Sequence, residues 1–488
     1  MINHPMKTYR PLSLFVAVAL LAATLSAADP AEGKWLGTLG VDPVKSEFGL
    51  DVRAKADGQL DVLLYLEQMH YDGIPAGALK KSDGRYQLAV LGLDFTVEGD
   101  AVKGVAGPNK RPFELKRVAG LPRDPFIPAG LPAGPGPKWQ RKLSGAIWAR
   151  ATVHDGVAYV GTGGGVMHAV RVSDGTFVWS VAAGRGVHGA ACVTDDAVYF
   201  ACDNGFLFRL NRADGKEVWR YDLGDARVPR VLPSANIFDY DHSGPAPVLA
   251  DGVLYIGAAD GGFHAVNAAD GSQVWRIQAD GKIRGTAAVS GPNIIFATLK
   301  GPVHMVERAT GREVWKQEGK TPVTSSPVVM GDKVISGTRG SVLRALRLDT
   351  GAELWRQTYW GSWVESTPVL GDNGLGYVGT SDYRRVTCFD PADGRVVWRT
   401  DIFGWCWNQP VLTARHVYVS AGGTIPYDIR HEGGLTALDR ATGKIAWRWP
   451  MPNPPGAMHW GFAAGPVLAG DTLIVGGLDG TLYAFPAE

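Results

Sequence analysis

The chain has little of what a redox, metal or nucleic-acid protein needs. It has four cysteines in 488 residues, at 192, 202, 388 and 406, none adjacent to another. No disulfide framework, haem-attachment motif or cysteine-based metal site follows from that spacing, and no metal is expected. An excess of one charge is also missing: 49 Lys and Arg stand against 48 Asp and Glu, for a net charge of +1. There is no basic footprint for nucleic acid and no acidic tail, so nucleic-acid binding is set aside. Long apolar runs are confined to Leu12 to Leu25, about 14 residues, which is too short to span a bilayer. That run follows Lys7 and Arg10 and precedes Ser26-Ala27-Ala28, so residues 1–28 read as a secretory signal. No cysteine follows it, which argues against a lipoprotein anchor. The expected product is exported, periplasmic or secreted, without a membrane span. Removing the two cations and no acid takes the net charge from +1 to −1.

What the chain has in quantity is glycine, 64 residues, and much of it falls in a repeat. In Ala437 to Trp447, ALDRATGKIAW, a small residue is followed after five steps by a turn residue and after five more by tryptophan. Ala169-Asp174-Trp179, Ala265-Asp270-Trp275 and Ala345-Thr350-Trp355 keep the frame. Arg209-Asp214-Trp219, Met305-Thr310-Trp315 and Cys388-Asp393-Trp398 keep its spacing. The frame describes a strand, a tight turn and a second strand. Glycine at 175, 215, 271, 311, 351, 394 and 443 supplies positive φ, and the Asp or Thr before it can bond the turn backbone. The tryptophan is a plug between units, with an indole N–H able to reach a carbonyl. A unit of about 40 residues cannot bury its own faces and must stack on its neighbours, and radial stacking gives a β-propeller.

The repeat tryptophans are Trp179, Trp219, Trp275, Trp315, Trp355, Trp398 and Trp447, with Trp139 one period upstream. Three further strands follow Trp447 (Gly465 to Leu468, Thr472 to Gly476, Thr481 to Phe485) without a tryptophan. The Trp139 strand is therefore expected to complete the last blade, giving eight blades. The repeat resembles the tryptophan-docking motif of the pyrroloquinoline quinone (PQQ)-like propellers over residues 138–488. That superfamily includes the quinoprotein alcohol dehydrogenases and the BamB-like assembly propellers, and the chain looks nearer the second. The fold class expected is all-β: an eight-bladed propeller preceded by a small antiparallel β domain.

Residues 29–118 carry no copy of the repeat. Short alternating runs (Phe48 to Val52, Leu60 to Leu66, Tyr86 to Val97) predict six to eight antiparallel strands in a sandwich or barrel. Gly33-Lys34-Trp35 resembles the start of a lipocalin-type barrel, and no chemistry is assigned to it. Residues 119–137 contain six prolines and read as a semi-rigid linker. Within the propeller the period is broken between Gly224 and Ser243 and near Gly422 to Gly434. Insertions of this kind usually form surface loops that carry recognition. Cys388 occupies the small-residue slot and reads as packing. Cys192 should face Tyr199 across a hairpin, with Cys202 on the other face.

The segments leading into each blade's first strand gather at one mouth of the central channel. Side chains not repeated between blades are candidate ligand-binding residues there: Trp148, Arg150, His188, Arg284, Glu365, Trp407, Asn408, His459 and Trp460. Ser243, Thr324 and Phe462 sit beside them, and the first insertion adds Arg227, Arg230, Asp239, Asp241 and His242. His168 and His264 occupy a reused slot and read as scaffold. Tyr359, Trp360, Trp363 and Trp405 make the mouth aromatic, which suits a platform for a sugar ring, a quinone or an apolar peptide. No catalytic residue is assigned. The function expected is a non-catalytic envelope scaffold that binds a protein partner, and no cofactor is predicted. Two alternatives stay open. One is a PQQ-dependent dehydrogenase with Ca²⁺, for which the resemblance implies Glu365 and Asn408 as oxygen ligands but also a catalytic Asp and a paired cysteine that are missing here. The other is a glycan-binding or glycan-processing propeller using Glu365 and Asp241.

Overall fold

The computed structural model describes residues 28–39, 46–67, 71–89, 91–107, 110–122, 126–236, 239–359, 361–424 and 430–487. The signal reading at 1–28 lies outside them, apart from Ala28. Eight four-stranded antiparallel units stand in a ring, the seventh extended by a fifth strand. Blades 1 to 7 cover 152–182, 192–222, 248–278, 288–317, 328–358, 369–401 and 411–451. Blade 8 joins the chain ends: Val467–Ala469, Thr472–Gly476 and Thr481–Pro486 take Trp139–Lys142 as their outer strand, with Trp139 opposite Ala484. The ring closes as expected.

The repeat works as its residue types require. The seven turn glycines have φ between 71° and 78°. In every copy the Asp or Thr before the glycine accepts a hydrogen bond from the N–H two residues on. The tryptophan does not serve its own turn. Each indole lies on the turn glycine of the next blade, as Trp179 does on Gly215, where any side chain would enter the ring. It also donates Nε1–H to a carbonyl of that turn, as Trp139 does to Val172 and Trp315 to Leu348, at 2.8 and 2.9 Å. Burial of such a ring contributes roughly 2 kcal/mol per blade junction.

Trp447 is the exception, because blade 8 is assembled from both ends of the chain and has no such turn. The Pro-rich linker replaces it. Gly134 donates to the Arg448 carbonyl at 2.7 Å, and Arg448 donates to the Pro132 carbonyl at 2.9 Å. Ala133 thereby pairs in parallel with Arg448 on the outer edge of blade 7. Gly134 lies on the Trp447 indole as the turn glycines lie on theirs.

The described residues of the N-terminal part form nine strands rather than the six to eight expected. Tyr86 to Val97 is a hairpin of Arg85–Leu88 and Leu93–Glu98, with Leu91 and Gly92 at positive φ in the turn. All nine belong to one sheet whose two edge strands, Tyr71–Ala78 and Lys80–Ser82, are consecutive in the chain. The sheet therefore curls until it nearly closes around Trp35, Phe48, Phe95 and Phe113. Trp35 is fully buried, with its Nε1–H donated to the Ala31 carbonyl. That core is continuous with Tyr359, Tyr383 and Phe389 of the propeller. No helix among the described residues is long and apolar enough to cross a membrane.

Gly134→Ala should lower unfolding stability by about 1–3 kcal/mol, because a methyl group there overlaps the Trp447 ring. Gly136→Ala, with open space around the added carbon, should be neutral. Urea denaturation of both variants tests the linker's part in the seam.

Candidate functional site

The first strand of each blade lines the channel, and the residues before it are placed by a clamp between blades. Val187, Ile283, Val364, Cys406 and Ile147 each press against a glycine at or next to the end of the second strand of the neighbouring blade, at 161, 257, 337, 379 and 476. Their N–H groups donate to the same neighbour, as Val364 does to Thr338 and Cys406 to Thr380, both at 3.0 Å. The clamp fixes the residue that follows it. Trp148, His188, Arg284, Thr324, Glu365 and Trp407 occupy this position before blades 1, 2, 4, 5, 6 and 7 and line one cavity of about 330 Å³. Arg150, Asn408 and Ser243 also line it. The clamp explains Cys406 as well: it is a buried apolar filler whose thiol is pushed up to about 12 by burial. All four cysteines are free, Cys192 pairs with Tyr199 as expected, and Cys388 is fully buried.

His459 and Trp460 are not part of this lining. The second insertion, expected as a recognition loop, instead lengthens a strand to His416–Thr424, on which His459–Gly461 pairs; its residues 425–429 lie outside the described residues. His459 bonds Thr424 Oγ1 at 2.8 Å and meets the Trp148 ring edge-on at 5.0 Å between centroids. Trp460 stacks on His431, and among the described residues its Nε1 has no hydrogen-bond partner. Phe462 takes the clamp position of its blade, donating its N–H to Ala421, so Ala463 faces the channel there.

The first insertion also departs from expectation. Instead of a surface loop, it turns into the channel and plugs it. Tyr240, Asp241 and His242 are all buried, whereas Asp239 is exposed. Tyr240 packs among Trp363, Trp407 and His242, with the Arg339 guanidinium 4.6 Å from its ring centre. His242 lies against Trp407 and Trp148, and its carbonyl bonds His188 Nδ1 at 3.0 Å. Arg230 grips the plug's base, bonding the Asp241 and Ser243 carbonyls. The aromatic mouth is therefore filled: Trp148, Tyr359, Trp405, Trp407, Trp460 and Phe462 are buried, Trp363 is half-buried, and Trp360 lies outside the described residues. The expected open platform is not formed by these residues: the plug packs on Trp148, Trp363 and Trp407, Trp405 and Trp460 stack on His431, and Tyr359 and Phe462 pack into hydrophobic cores.

Each carboxylate the plug meets is matched by an arginine. Glu365 is paired with Arg339 at 2.8 Å and also accepts from Tyr240 Oη at 2.9 Å and Thr324 Oγ1 at 3.2 Å. Burial pushes its carboxyl up, but Arg339 outweighs this, and Glu365 is held below the usual range. Asp241 is bound by Arg284 at 2.5 Å, and Asp203 by Arg230 at 2.7 Å. Both are likewise held low against the effect of burial. Tyr240, Arg339 and Asp203 escaped the sequence reading. Asp203 and Arg339 share one repeat position, the residue after the second-strand turn begins, where Gly163, Ala259 and Ser381 are small. A charge at that position was the available signal.

An all-β ring locked by tryptophans, with a plugged channel, defines a PQQ-like β-propeller. The family model described as "Outer membrane protein assembly factor BamB" matches residues 136–239, 209–359 and 338–488, and the chain belongs to that family. Among curated relatives, BamB of Yersinia pestis is 27% identical over 143 residues, 28% of this chain and 35% of that protein. The match thus spans about a third of the relative's length. Among solved structures, BamB from Moraxella catarrhalis superposes with a TM-score of 0.50 at 20% identity, covering 71% of this chain and 97% of that one. The quinohemoprotein alcohol dehydrogenase of Comamonas testosteroni does so with 0.55 at 14%, covering 72% and 76%. Likeness at these identities concerns the fold.

The channel residues do not suit PQQ with Ca²⁺. A calcium ion needs several free oxygen ligands, yet Glu365 already accepts from Arg339, Tyr240 and Thr324. The plug's rings fill the space between Trp407 and Trp148.

Two outcomes follow. Arg339→Met alone should cost about 3–5 kcal/mol, since it strands a buried carboxylate, and Arg339→Met with Glu365→Leu should recover most of that; chemical denaturation measures both. His188, His242 and His459 are pushed from 6.5 down to about 4, in each case chiefly by burial. The unfolded chain therefore binds protons near 6.5 that the folded chain refuses until about 4. Stability should be complete above 6.5 and fall as pH drops toward 4, with loss of the Asp203, Asp241 and Glu365 contributions adding at the acid end. Urea midpoints across that range test the slope, and a flat profile would contradict it.

Proposed function

We propose that this protein is an exported, non-catalytic scaffold of the cell envelope, acting through a protein partner in outer-membrane protein assembly. Its parts are a signal at 1–28, a small β domain at 29–118, a linker at 119–137 and the propeller at 138–488. The observation that carries the reading, beside membership of the BamB family, is the state of the channel carboxylates. Glu365, Asp241 and Asp203 are each neutralised by an arginine, so none stands as a free acid, base or metal ligand. A general acid or base must be within reach of substrate in the right protonation state, and these are neither exposed nor unpaired. Among the described residues, the mouth aromatics are packed against one another and the plug, which does not favour stacking on a glycan.

Deleting the gene in its host should reduce the outer-membrane content of β-barrel proteins, measured by quantitative mass spectrometry of the membrane fraction. The purified chain supplied with PQQ and Ca²⁺ should show no dye-linked alcohol oxidation. Unchanged barrel content together with turnover would sink the reading. Intact mass of the protein from a periplasmic extract should begin at Asp29.

A further inference from the structure

Two residues beyond the position of Glu365 and its equivalents, a second ring lines the same cavity: Arg150, Ala190, Thr286, Ser326, Thr367 and Gln409. Its hydrogen bonding is one-sided. Thr286 Oγ1 accepts the N–H of Ala246 at 3.0 Å, Ser326 Oγ accepts that of Thr286 at 2.9 Å, and Thr367 Oγ1 accepts that of Ser326 at 3.2 Å. A hydroxyl that accepts in this way still has its own proton to donate. Among the described residues, none of the three hydroxyls donates to a protein acceptor. The ring's side-chain amide is spent internally: Gln409 Oε1 accepts from Arg150 Nη1 at 2.8 Å, and its Nε2 donates to the Pro368 carbonyl at 3.3 Å.

Arg150 is the second half of the observation. Its Nε donates to the Pro466 carbonyl at 2.9 Å, but among the described residues no carboxylate lies within ion-pair distance. Arg284, Arg339 and Arg230, which serve the level above, each have one. A half-buried guanidinium without a counter-charge is unfavourable unless something supplies that charge. Burial alone depresses Arg150, with no acid opposing it.

We infer that this ring is a binding site for a small oxyanion, a molecule carrying a carboxylate or phosphate, held by Arg150 and by the hydroxyls of Thr286, Ser326 and Thr367. Hydroxyl donors and an uncompensated guanidinium line one cavity, which suits an anion and disfavours a metal cation. A cavity of about 330 Å³ admits a small molecule and excludes a folded partner. The inference goes beyond the proposed function, which names only a protein partner, and adds a small-molecule site.

Trp148 and Trp407 line the cavity, so tryptophan emission of the purified full chain reports its occupancy. Titration at constant ionic strength with succinate in one arm and inorganic phosphate in the other, against chloride, should give saturable change in at least one. The responding arm distinguishes a carboxylate from a phosphate ligand. Arg150→Gln should weaken binding about tenfold or more. Thr367→Val, which keeps the side-chain shape, should weaken it about threefold. Arg185→Gln, at an exposed arginine, should leave it unchanged. Thermal unfolding of each variant separates lost binding from lost fold, and Thr367→Val carries the test if Arg150→Gln is unstable. No saturable response up to about 10 mM in either arm, or equal affinity in both ring variants, overturns the inference. Barrel-protein content in cells carrying Thr367→Val is read alongside. Intact assembly without anion binding in the wild type defeats the inference alone, while anion binding without any assembly phenotype defeats the scaffold reading and leaves the site.

Discussion

The ring is held by one contact made over and over: an indole on one blade lying flat against a glycine of the next, with its N–H donated to a carbonyl of the same turn. Everything else is placed by it. A single blade is a four-stranded sheet with both faces apolar and has no stability by itself. The contact needs a positive-φ residue with no side chain on one side and a flat, large ring with a polar edge on the other. Neither residue type can be exchanged without the other losing its purpose.

The channel follows the opposite logic. Where the blade junctions are repetitive, the residues behind each clamp differ from blade to blade: Trp148, His188, Arg284, Thr324, Glu365, Trp407. The plug consumes most of this variety by pairing its own Asp241 with Arg284 and its Tyr240 with Glu365. These groups fix the plug at the price of their own reactivity, since a buried charge locked to its partner is a poor acid or base. What the plug leaves unmatched lies one level deeper, at Arg150 and the three hydroxyls.

The propeller, its blade number and its closing strand could be read from the chain because the repeat is periodic and each residue in it has one mechanical task. Trp148, His188, Arg284, Glu365 and Trp407 could be read as channel-facing for the same reason, by counting back from a repeated strand. The failures are aperiodic. Nothing local in Gly224 to Ser243 says whether an insertion turns outward or inward; that depends on Asp203, Arg284 and Arg339, which belong to three different blades. Trp460 was misplaced because a short strand, His459–Gly461, intervenes before the clamp at Phe462. The ninth strand of the N-terminal sheet was hidden in a run that holds two strands joined by the four residues 89–92.

The closing strand has a consequence for how the molecule can be made. Trp139 pairs with Ala484, so the first piece of the propeller to be synthesised waits for the last. Contacts between such distant positions are slow to form, and until then the open ring exposes an apolar blade face at each end. A chain emerging gradually from a ribosome or a translocation pore can build blades 1 to 7 in order, but it cannot become a ring until the whole of blade 8 is free. The Trp447 face, in contrast, can be covered by Gly134 as soon as blade 7 exists, which shields one of the two open ends while the other is still being made.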